Sequence, residues 1–160
     1  MTAEELIETL GLSPLPVEGG WYRETYRSSL TLPGTGKSAC TAIYYLLTPD
    51  TFSALHRLPA DEVFHFYLGD AVEMVQLGPG RGEGRLVTLG NDVRAGQEPQ
   101  VVVPRGVWQG SVLAAGGKFA LMGTIVTPGF DFADYEAGQR GRLCAEFPAW
   151  RGWVERLCRE

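Results

Sequence analysis

Between residues 20 and 126 the chain alternates short apolar or β-branched runs with glycine, proline and acidic punctuation, a rhythm of strands and not of helices. Runs at 20–28, 38–47, 51–58, 62–68, 71–77, 85–89, 99–103, 107–113 and 118–126 predict strands, enough for a sandwich or a barrel. The ends follow a different period. Thr2, Glu4 and Glu5 ahead of Leu6, Ile7 and Leu10 predict a short capped helix stopped by Gly11. Phe147, Trp150, Trp153, Val154 and Leu157 recur at three- and four-residue steps after Pro148 and predict a second, amphipathic helix. Leu68-Gly69-Asp70-Ala71 predicts a tight hairpin, and 78–84 a longer one.

A length of 160 residues, 44% hydrophobic and 21% charged, suits one core, and a single domain over 1–160 is expected. Lys and Arg total 14 against 19 Asp and Glu, a formal charge of −5 with no basic cluster, which argues against a nucleic-acid partner. Glu4, Glu5 and Glu8 stand where a signal peptide carries positive charge, and no apolar run has the length of a membrane helix. The expectation is a cytoplasmic protein with no membrane partner. Cys40, Cys144 and Cys158 are far apart and lack C-x-x-C spacing, so free packing thiols are expected.

Candidate chemistry concentrates in 56–69, which holds both histidines. Alternation puts Ala54, His56 and Leu58 on one strand face, and Glu62, Phe64, Phe66 and Leu68 on one face of the next. Pairing through the Pro59-Ala60 turn would set His56 beside Glu62. Gln109, in phase with Val107 and Ser111, points to the same interior; His65 falls on the opposite face, and Trp108 is out of phase with Gln109. An imidazole beside a carboxylate is either a general acid/base pair or a satisfied buried pair. Phe64 and Phe66 either stack on a ligand or fill the core. Glu18, Arg23 and Glu24, charged among aromatics, read as a pocket rim or an ion-paired edge.

The spacing of His56, Leu58, Glu62 and Gly69 resembles the first cupin motif, and Pro104-x-Gly106-x-x-Gln109 resembles the core of the second. Together with 18–26, 41–47 and 128–136, these stretches are similar to a cupin family of unknown function labelled "predicted epimerase". The resemblance implies an all-β fold, a cupin-type double-stranded β-helix (jelly-roll barrel) with short N- and C-terminal helices, assembled as a homodimer. It also implies a small-molecule site serving an isomerase- or epimerase-like reaction on a carbohydrate-type or nucleotide-linked ligand. His56 and Glu62 would be catalytic, with Tyr44 as proton donor and Tyr22 and Tyr67 as alternatives. Gln109, Phe64, Phe66, Glu18, Arg23 and Asp131 would contact the ligand. Metallocupins hold a divalent metal with three histidines and a glutamate; here His56 and Glu62 match, but Leu58 and Gln109 replace two histidines. The departure leaves three readings open: catalysis without a metal, a non-catalytic binding barrel, and a metal-dependent enzyme with a divalent ion on His56, Glu62 and Gln109.

Overall fold

In the computed structural model, which describes residues 1–159, eleven strands build two sheets whose neighbours pair antiparallel. The first sheet runs in the order β1 (Ser13–Pro14), β2 (Trp21–Arg27), β3 (Thr41–Leu47), β10 (Ala120–Thr127), β5 (Asp61–Gly69) and β8 (Gln100–Val103). The second runs β11 (Glu136–Ala137), β4 (Phe52–Arg57), β9 (Trp108–Leu113), β6 (Val72–Leu77) and β7 (Gly84–Leu89). From β3 onward the chain mostly changes sheet with each new strand, which is the jelly roll expected. Among the described residues no helix is long and apolar enough to cross a membrane.

This crossing pattern corrects two local expectations. Strands β5 and β6 lie in different sheets, so 68–71 is a crossover and not a hairpin. Gly69 serves it with φ +104°, and a Cβ there would lie 2.3 Å from the Phe119 carbonyl oxygen. Gly69→Ala is therefore expected to lose about 3 kcal/mol, read by denaturant unfolding; a loss under about 1 kcal/mol would contradict the assigned backbone. Likewise β4 and β5 do not pair through Pro59-Ala60. The 78–84 hairpin does form, with Leu77 opposite Gly84.

Inward side chains of both sheets fill the barrel, among them Tyr45, Phe64, Phe66, Met74 and Met122. The outer face of the second sheet is sealed by α2 (Arg140–Glu146) and α3 (Arg151–Leu157), which pack Leu143, Phe147, Val154 and Leu157 on Leu55, Val75 and Trp108. The terminal helix expected after Pro148 is α3, entered through a short 3-10 turn that Pro148 opens, and α2 ahead of it was not expected. On the first sheet, α1 (Ala3–Leu10) covers Leu46 and Leu121; its start is the expected capping box between Thr2 and Glu5.

Two irregularities decide which side chains reach the interior. A register shift in β4 between Ser53 and His56 lets both serve the barrel while Leu55 packs on the helices. Another, at Leu121/Met122 on β10, leaves Phe66 inside but sends Leu68 beneath α1, so the run from Glu62 to Leu68 does not keep one face to its end.

Candidate functional site

His56 on β4 and Gln109 on β9 are direct cross-strand partners, while Glu62 reaches them from β5 of the opposite sheet. All three are buried. Two loops at one end of the barrel complete the group. The β1–β2 turn carries Glu18 inward: the backbone amide of Ala54 donates to the Glu18 carbonyl, tying the first sheet's turn to the second sheet. Gly19 and Gly20 of this turn, at φ +101° and +77°, fit against the Phe52 carbonyl and the Tyr45 ring. Val17 just before them has φ +66°, a costly conformation for a β-branched residue, of order 1–3 kcal/mol, that the surrounding contacts must impose. The second loop, leaving β10, crosses to β11. It is fastened by the Lys37–Asp134 ion pair and by a bidentate pair from Arg57 to Glu136 at 2.7 and 2.9 Å. It lays the Tyr135 ring on the His56 ring, with centroids 4.8 Å apart and planes 18° from parallel.

The hydrogen bonds assign protonation. His56 Nδ1 lies 2.7 Å from the Ala54 carbonyl oxygen, which can only accept, so Nδ1 carries the proton and Nε2 is the basic nitrogen. Nε2 faces the Gln109 amide nitrogen at 3.4 Å and Glu18 Oε2 at 3.8 Å. The same amide nitrogen donates to Glu62, so Gln109 bridges the imidazole and the carboxyl across the barrel. Glu18 Oε1 accepts from Ser53 Oγ at 2.8 Å. Burial, and then the nearby Glu18 carboxylate, push the Glu62 pKa up to about 8, against partial relief from Thr124 and Gln109. Burial and Glu18 raise the Tyr45 and Tyr135 phenols as well. Near neutral pH, then, Glu62 and both phenols hold their protons around Glu18.

A cavity of about 510 Å³ opens at this end of the barrel. Glu18 and Thr124 line it together with Tyr22, Ile43, Phe130 and Asp131. Buried polar atoms without a protein partner include Thr124 Oγ1, Gln109 Oε1 and the Tyr135 hydroxyl. Of these Thr124 is on the lining, while Gln109 and Tyr135, like His56 and Glu62, lie outside it, and Glu18 is the residue that joins the cavity to His56.

The sequence-derived candidates therefore separate. His56, Glu62 and Gln109 come together, through Gln109 and not through a hairpin. Glu18, Arg23 and Asp131 line the cavity, Asp131 also capping the 3-10 turn Phe132–Asp134. Tyr44 does not reach the site: alternation on β3 turns Tyr45 inward and Tyr44 out, against α1 and the Tyr67 ring. Phe64 and Phe66 are core side chains, 1% and 7% exposed, outside the cavity lining. Tyr135, which sequence reasoning did not single out, is the tyrosine on His56.

These residues do not fit a divalent cation. Gln109 presents its amide nitrogen, a donor, to both His56 and Glu62, where a metal would need lone pairs. Among the described residues no three His, Cys, Asp or Glu side chains converge on a common point.

The model of a family described as Cupin superfamily (DUF985) matches residues 4–138. The uncharacterized protein YML079W of Saccharomyces cerevisiae is 33% identical over 141 residues, 74% of this chain and 66% of the yeast protein. The crystal structure of protein SO0799 from Shewanella oneidensis superposes with a TM-score of 0.91 at 36% identity, covering 99% of this chain and 98% of that one. A dTDP sugar isomerase from Desulfovibrio desulfuricans, at 20% identity, TM-score 0.54 and 80% coverage of each chain, shares the fold alone. With a jelly-roll barrel built on the motif residues and a family match over most of its length, the chain belongs to the cupin superfamily, in the DUF985 family of unknown function.

Proposed function

We propose that the barrel is a proton-transfer site of isomerase or epimerase type, acting without a metal on a small carbonyl-bearing molecule held in the cavity. One observation carries this reading: Nε2 of a buried imidazole, whose Nδ1 is turned to the Ala54 carbonyl, faces a cavity-lining carboxylate, Glu18, at 3.8 Å, under a stacked phenol. Such a set provides a base in Glu18 and an acid in Tyr135, which invert the carbon where they meet it from opposite faces. Glu18 takes a proton from the carbon next to the carbonyl, and the electron pair passes onto the carbonyl oxygen. Tyr135, kept neutral by burial and by Glu18, returns a proton to that carbon. The set is restored when Glu18 releases its proton through His56 Nε2 and the phenolate takes one up. The sugar-isomerase neighbour, though a likeness of fold only, is consistent with this class.

A second reading, a binding barrel without turnover, is favoured by Gln109, whose amide engages both His56 and Glu62. Isotope exchange separates the two. Incubated in deuterium oxide with reducing hexoses and their keto isomers, an enzyme of this class will exchange the C–H next to the carbonyl for C–D, seen by mass spectrometry. Tight binding with no deuterium uptake would establish the second reading and remove the first.

A further inference from the structure

We infer that the cavity accepts an uncharged polyhydroxylated molecule, a free sugar or polyol, and rejects phosphorylated and nucleotide-linked forms. The inference rests on the cavity being the ligand site of the proposed function, and it concerns what the site recognises, not whether it turns the ligand over.

A phosphate or diphosphate needs basic groups whose charge is free to meet it. Of the two lining arginines, Arg27 is neutralised by Glu24, and the single charge of Arg23 stands against those of Glu18 and Asp131. Arg27 makes a bidentate pair with Glu24, Nε to Oε1 at 2.9 Å and Nη2 to Oε2 at 2.8 Å, and Nη2 also donates to the Phe130 carbonyl at 3.0 Å. Arg23 lies over the Tyr44 ring, 5.5 Å from its centroid. Arg159 stacks on Phe52 at 4.3 Å and donates to the carbonyls of Glu18 and Phe52. Lys37, beyond the lining, is paired with Asp134.

The opposite polarity is available. Glu18 lines the cavity with a side chain 13% exposed and accepts one hydrogen bond, from Ser53. Its other lone pairs await donors. Thr124, 3% exposed and on the lining, holds its hydroxyl near the Glu62 carboxyl without closing a full hydrogen bond, so it can turn to a ligand. A carboxylate and a hydroxyl suit ligand O–H groups, which donate to the first and exchange bonds with the second. The aromatic side chains of Tyr22 and Phe130 on the wall offer faces for the C–H side of a sugar ring. A phosphate placed beside Glu18 and Asp131 meets like charge.

Saturation-transfer NMR and calorimetry with D-glucose, D-galactose, D-mannose, L-rhamnose and myo-inositol, against D-glucose 1-phosphate and a nucleoside-diphosphate hexose, test this. At least one neutral member is expected to bind, with little dependence on salt, and its phosphorylated counterpart about tenfold or more weakly, as a like charge a few ångströms from Glu18 requires. Glu18→Gln, checked for folding by its melting curve, is expected to abolish the discrimination. Tighter binding of the phosphorylated form, or no binding by any neutral member, overturns the inference. Failure of the proton-transfer reading looks different: neutral ligands bind but exchange no deuterium. Deuterium exchange with a nucleotide-linked sugar alone would do the reverse, keeping that chemistry and refuting this ligand class.

Discussion

At pH 9 the Glu62→Gln protein is expected to outlast its parent by up to about 5 kcal/mol, a shift in melting temperature on the order of 10 °C, while at pH 5 the two differ little. The cause is linkage. An unfolded glutamate loses its proton near 4.5, whereas in the fold burial and the Glu18 charge hold the Glu62 proton until about pH 8. Between these values the native state binds a proton that the unfolded state has released, so stability falls as pH rises. The loss is complete above the folded pKa. Glutamine has the shape of the protonated acid, still accepts from Gln109, and has no proton to lose. Melting curves of both proteins from pH 5 to 9 are the measurement. Parallel curves would show that Glu62 ionises in the native barrel at no cost, which its burial forbids.

The second large effect belongs to Glu18→Gln. Deuterium exchange in the proposed reaction is expected to fall by about 10²–10⁴, the usual weight of a general base. Independently of turnover, the Glu62 titration followed by ¹³C NMR should move down towards the ordinary carboxylate range, because the second cause of its elevation has been removed. The two readouts sort the roles of Glu18. A lowered Glu62 pKa with an unchanged exchange rate would make Glu18 an electrostatic neighbour and leave His56 as the base.

Much of this arrangement was legible before any coordinates. Period-two alternation on 107–113 put Gln109 inside and Trp108 outside, and the same rule put His65 outside, where it meets Gln100. Pairing partners were harder, because alternation gives the face of a strand but not its sheet. Hence His56 and Glu62 were expected as hairpin neighbours, and they meet across the barrel instead. Depth was invisible too: Phe64 and Phe66 point inward as expected, but in the packed core and outside the cavity lining. Tyr44 and Tyr45 are adjacent and equally aromatic, so only the register against β2 and β10 tells which one faces the interior. Glu18 looked like a rim residue because nothing local in Pro16-Val17-Glu18-Gly19-Gly20 announces a left-handed valine; that conformation is imposed by the Ala54, Phe52 and Tyr45 contacts made on folding. Tyr135 owes its place to two ion pairs whose partners lie 97 and 79 residues away.

Arg159 adds a practical consequence. Its guanidinium holds the carbonyls of Glu18 and Phe52 and fills the space beside Gly19, so the turn bearing the key carboxylate is buttressed by a residue 141 positions later. A change at Arg159 is, physically, an edit to the proposed site. Anyone preparing the protein for assay would do well to put affinity handles at the other terminus, where α1 keeps them on the far side of the first sheet from the barrel interior.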